Sequence, residues 1–161
     1  MCDTVHDTSV QRRSKIDALM NQRLADGVDL QMQMKQALWN VKNSSVTGLH
    51  ELFGKAARSV ETYVDRIAER IVQFGGSARG TVRAAAALSL LDEYPLAAAD
   101  DPAHVSAVVN ALSTFGQNAR STISEATQLN DTVSADLFTE ISHGIDQWLR
   151  FIEAQPQANK W

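Results

Sequence analysis

Strand signals, paired cysteines, membrane-length apolar runs and a lysine-rich tail are all missing from this sequence. Each absence excludes something. The single cysteine, Cys2, rules out an internal disulfide and points to a reducing compartment. Its place at the second residue reads as an inert terminal thiol. No stretch approaches the ~20 apolar residues that cross a bilayer. The opening MCDTVHDTSVQRRSK has no apolar core after a basic start, so it does not read as a secretory leader. Cytoplasmic residence is the expectation. Three prolines and eight glycines leave room for long helices. Positive charge is scarce, with 15 Lys and Arg against 19 Asp and Glu for a net charge of −4. Coating nucleic acid with the whole surface needs clustered Lys and Arg, so that class is disfavoured. A surface or cavity that attracts cations fits better.

Helical patterning dominates the 161-residue chain, which is long enough for one domain with a sizeable core. From about Val10 to Val41, apolar residues recur near helical spacing at Ile16, Leu19, Met20, Leu24, Val28, Met32, Ala37 and Val41. Asn43-Ser44-Ser45 breaks the pattern, and Ser44 or Ser45 could cap the next helix. This second helix is predicted from about Val46 to Phe74, its stripe running from Leu49 to Phe74 and its end marked by Gly75-Gly76. A minor helix, Val82 to Leu91, falls inside a long crossover that stops at Tyr94-Pro95. Asp100-Asp101-Pro102 starts a third long helix to about Gln128. Asn130-Asp131-Thr132 then separates it from a fourth, Val133 to Ala154, ended by Pro156. Four long helices joined short, long, short predict an all-α ferritin-like four-helix bundle over residues 10–154. Residues 1–9 and 155–161 read as tails, the first of them flexible.

The stretch MKQALWNVKNSSVTGLHELFGKAARSVETYVDRIAERIVQFGGSARGT resembles the signature region of the Dps family of DNA-protecting mini-ferritins. SLLDEYP and SADLFTEISHGIDQWLRFIEA continue the likeness, which covers roughly residues 10 to 154. The resemblance implies a twelve-subunit shell built from two-fold dimers that oxidises ferrous iron and stores the mineral. It also implies protection against oxidative damage and, in some members, DNA binding through basic tails. The family's iron site uses two histidines, two aspartates and a glutamate. Against that pattern, Leu38 stands where the first histidine falls and Gly54 replaces one aspartate, while His50, Asp65 and Glu69 match. Three of five ligands remain, so the implied ferroxidase activity is expected to be weak, or the site to serve another metal such as Zn(II). A catalytically inactive structural shell, or a DNA-protecting subunit, is the alternative.

The spacing carries its own consequence. Asp65 and Glu69 lie four apart and can share one cation. His50 is fifteen residues upstream, about 22 Å along the axis at 1.5 Å per residue, and cannot reach that ion within one chain. An antiparallel second copy of the helix would bring it there and create two identical mixed sites. One nitrogen and two carboxylates suit Fe(II), Zn(II) or Mn(II). Taken alone, Asp65 and Glu69 would read as a solvated helix face among Glu61, Arg66 and Arg70, and His50 as a capping or surface residue.

The remaining candidates have two readings each. Glu125, Asp131 and Asp136 flank the start of the last helix, where acidic residues of family members line three-fold channels. Capping by Asp131 and helix-dipole pairing by Asp136 are the plain alternatives. Trp39 reads as packing beside the site and His143 as surface or interface. His6 and His104 carry no spacing signal. For DNA, Arg12, Arg13 and Lys15 are offset by Asp3 and Asp7, and the far tail offers only Lys160. Weak DNA contact at most is expected, and with it nucleoid association.

Overall fold

The computed structural model describes residues 3–42 and 48–155 and contains five helices within them. They are α1 (Asp3–Asn40), α2 (Leu49–Gln73), α3 (Val82–Leu88), α4 (Asp101–Gln128) and α5 (Thr132–Glu153). The main packing is α1 on α2 and α4 on α5, joined by α1 on α4 and, more lightly, α2 on α5. This is the ferritin-like bundle, with α3 lying on α1 inside the crossover. Among the described residues, no helix is long and apolar enough to cross a membrane.

The helix stops have local backbone causes. At the end of α2 the Gly75 N–H donates to the Val72 carbonyl and the Gly76 N–H to that of Ile71. Gly75 has φ +89°, so this is a Schellman cap with glycine at the left-handed position. The same pair of bonds closes α4, from Asn130 to Thr127 and from Asp131 to Ala126, with Asn130 at φ +55°. Asp100 caps α4 by accepting from the Ala103 N–H at 2.9 Å, and Pro102 fits the first turn.

Several boundaries differ from the pattern. Helix α1 begins at Asp3, well before the periodic segment, because residues 9–15 continue the helix while exposed and leave no apolar stripe. Helix α2 starts later than expected, at Leu49, with Gly48 at the cap (φ +60°) and no side-chain cap bond. Ser44 and Ser45 lie outside the described residues, as do Cys2, Pro156, Lys160 and the side chain of His6. Helix α3 ends at Leu88, three residues short of the expectation. There the Ser89 hydroxyl donates to Asp29 and the Leu90 N–H donates to Asp26, so α1 carboxylates take over from helical carbonyls. Met32 is 44% exposed rather than part of the core, whose α1 face is Ile16, Met20, Leu24, Leu30, Met34 and Ala37.

Facing Phe53, Val60, Ile67, Phe115, Phe138 and Ile141 complete that core, each contributing about 1.5–3 kcal/mol by leaving water. The apolar faces therefore fix how α2 is rotated, and with it the direction in which its polar stripe points.

Candidate metal centre

On α2, the buried residues other than Gly54 occupy one face. His50, Gly54, Arg58, Glu61, Asp65 and Glu69 fall on another, within an arc of roughly 100° at about 100° per residue. His50, Asp65 and Glu69 are all exposed. His50 stands in the first turn and the two carboxylates lie in the C-terminal half. Within one chain they do not meet: among the described residues, no three His, Cys, Asp or Glu side chains are grouped to hold a metal ion. The candidate ligands thus lie in two groups far apart on one helix.

The positions lacking donors are also defined. Gly54 is buried under its neighbours, and a Cβ there would sit 3.6 Å from Arg58 Nη1 and 3.8 Å from Leu38 Cδ1. Leu38 comes from the end of α1, which packs on α2. Its neighbour Trp39 is 64% exposed in the single chain, so the packing expected of it beside the site is not made within the chain. It lies in the last turn of α1, largely uncovered by the described residues. Val72, at 62% exposed, is a second apolar residue on the outer side of α2.

The acidic residues near the α4–α5 turn divide. Asp131 is buried and is the N-cap of α5, accepting from the Ser134 N–H at 3.1 Å. Arg70 Nη2 donates to it at 2.9 Å, and Arg70 Nε donates to the Ser134 hydroxyl at 3.0 Å. Burial alone would push this carboxyl up. The Ser134 hydrogen bonds and the Arg70 charge outweigh it and hold Asp131 below its ordinary value. Glu125 and Asp136 stay exposed. Arg12, a candidate for DNA contact, is engaged at the end of α4, donating to the Leu129 carbonyl at 2.6 Å and that of Asn130 at 3.2 Å. Arg13 and Lys15 are exposed, as is His143.

Three polar features were missed in the sequence. Asp26 and Arg23 form a buried pair at 3.1 Å on α1, with Asp26 also accepting from Asn118 of α4. Burial pushes Asp26 up and Arg23 down. His104 is buried against Tyr94, whose hydroxyl lies 2.6 Å from Nδ1. Burial pushes that phenol up to about 12, so the hydroxyl keeps its proton and the two side chains share one hydrogen bond. The third is Arg58 over Gly54. Its one sequence cue is the four-residue step between them.

The ferritin-like domain family matches residues 17–158, so the chain belongs to the ferritin-like proteins. Within them it belongs to the Dps family. The chain is 31% identical over 154 residues to the "DNA protection during starvation protein" of Agrobacterium fabrum, covering 96% of this chain and 95% of the relative. A C-terminal deletion mutant of Mycobacterium smegmatis Dps superposes with a TM-score of 0.82 at 28% identity, over 88% of this chain and 97% of that one. DpsA14 from Streptomyces coelicolor gives 0.83 at 27%, over 89% and 84%.

Proposed function

We propose that the chain is a mini-ferritin protomer that binds and sequesters iron and so limits oxidative damage. His50 of one copy and Asp65 and Glu69 of a second would form the site. The supporting observation is the self-complementary stripe on α2. When an antiparallel copy places His50 opposite Glu69, the same register places Gly54 opposite Asp65 and Arg58 opposite Glu61, on both sides of a two-fold axis. Trp39 and Val72, exposed in the single chain, would then gain a partner surface.

One imidazole nitrogen and two carboxylates fit a single divalent ion. They do not fit two, since leucine has no donor atom and Gly54 has no side chain. Iron is here the cargo: His50 supplies the nitrogen donor, Asp65 and Glu69 supply negative charge, and oxidation is slow for want of a second ion. A closed dodecamer of such dimers, with Glu125 and Asp136 drawing cations to three-fold channels, completes the proposal. Asp131 would serve there chiefly by holding the channel helix in place. DNA protection would come from removing iron. Direct contact would be weak, since Arg12 is occupied by α4. A catalytically silent shell is the alternative that the missing donors favour.

Ferrous iron oxidation, followed by ferric absorbance, separates the two. The wild type should oxidise slowly, Leu38→His with Gly54→Asp should accelerate it, and Asp65→Ala with Glu69→Ala should abolish binding. A wild type that ignores the loss of both carboxylates would establish the silent shell instead.

A further inference from the structure

The space left by the missing donors is occupied by a guanidinium. Arg58 sits one turn after Gly54, and helical side chains lean toward the N-terminus of their helix. Its head group accordingly rests over the bare glycine, 3.6 Å from where a Cβ would be, beside Leu38. These are the two positions at which donor atoms are absent. Among the described residues of its own chain, Arg58 forms no ion pair within 4 Å, unlike Arg66 and Arg70 on the same helix; its charge reaches Glu51 only at longer range.

We infer that Arg58 is the second cation of the interface site, its guanidinium taking the place of a second metal ion and pairing with Glu61 and Asp65 of the partner subunit. This rests on the antiparallel pairing of α2 proposed above. In that register Arg58 stands opposite Glu61, and its lean toward Gly54 carries the head group toward the residue opposite Gly54, which is Asp65. The two carboxylates are one helical turn apart, and the planar donor fork of arginine can serve both. The pairing leaves each site with His50, Glu69 and a shared Asp65 for one divalent ion. A monocation this close lowers the affinity for a divalent ion about tenfold at an exposed site.

The loss at Gly54 thereby becomes a substitution of one cation for another. An aspartate restored at Gly54 would itself pair with Arg58, four residues on. The triple change L38H/G54D/R58Q should therefore oxidise iron faster than L38H/G54D.

The test is Zn2+ titration of the assembled protein. Sedimentation comes first: a monomeric wild type would overturn the two-fold pairing itself, whatever Arg58 does. For an assembled protein, the wild type should take one Zn2+ per chain. Arg58→Gln should bind about tenfold more tightly or admit a second ion. Arg83→Gln removes the same charge from α3, which makes no contact with α2, and should change nothing. Equal titrations of wild type and Arg58→Gln, or an equal gain from Arg83→Gln, would overturn the inference. If Arg58→Gln fails to assemble, a Zn2+-soaked wild-type crystal decides. Arg58 within about 4 Å of the partner's Asp65 beside one ion supports the assignment. Two ions, or Arg58 turned to solvent, refutes it.

Discussion

Replacing Asp131 by alanine should destabilise the bundle by about 2–3 kcal/mol, and the structure divides that figure. Losing a helix N-cap costs about 1 kcal/mol, here the bond from the Ser134 N–H. Breaking a wholly buried ion pair costs roughly 3–5 kcal/mol. Arg70 keeps 15% side-chain exposure and a position 5.4 Å over the Phe74 ring, so it can recover solvation. About 1–2 kcal/mol is the reduced share. Asp131→Asn, which caps nearly as well but carries no charge, should cost only that share. Asp136→Ala, exposed, should cost under about 0.5 kcal/mol. Urea unfolding at fixed protomer concentration measures all three, since assembly shifts apparent stability. The pH dependence is signed. Asp131 is held below its ordinary value by Ser134 and Arg70 against the effect of burial. Its contribution is therefore present above the unfolded value near 4 and lost as pH falls through the lower folded one. Equal stabilities of Asp131→Ala and Asp136→Ala, or a difference that persists unchanged in acid, would overturn this role for Asp131.

Two further outcomes depend on buried contacts. Asp26→Ala should cost about 3–5 kcal/mol because it leaves Arg23 buried without its partner, whereas Asp26→Leu with Arg23→Met should cost far less; a double-mutant cycle in chemical denaturation reads the difference. Burial raises Asp26, so its linkage runs opposite to that of Asp131, with stability lost as pH rises between the unfolded and folded values. Gly144→Ala places a Cβ against the Tyr63 hydroxyl and 2.8 Å from its ring carbon Cζ. Overpacking of about 1–3 kcal/mol is expected, largely relieved when Tyr63 is also reduced to leucine; melting temperatures of the single and double variants check it.

The parts of the fold legible in the sequence are those with local causes. Gly75-Gly76, Asn130 and Asp100-Asp101-Pro102 announce their helix ends because φ, capping and proline act within a few residues. His50, Asp65 and Glu69 were picked out as candidate ligands by a family motif, and nothing among the described residues of the single chain brings them together. Less was legible where partners are distant. Asp26 meets Leu90 and Asn118, 64 and 92 residues away, and these contacts decide where α3 stops. Arg70 meets Asp131 across 61 residues, a partner that the expected capping role of Asp131 did not announce. Met32 matched the helical period yet faces outward. The core side of α1 admits polar Arg23, Asp26 and Gln33, so hydrophobicity alone misjudged its rotation. Arg58 escaped notice because an arginine in a charged helix is ordinary until Gly54 is seen beneath it.

The proposed iron chemistry depends on two copies of this chain building a one-ion site between them. A crystal soaked with ferrous iron or Zn2+, measured at the metal's absorption edge, decides whether they do. One anomalous peak per site is expected at the two-fold interface, bound by His50 of one copy and Asp65 and Glu69 of the other. Two peaks per site, or none at these residues with the metal bound elsewhere, would contradict the one-ion site.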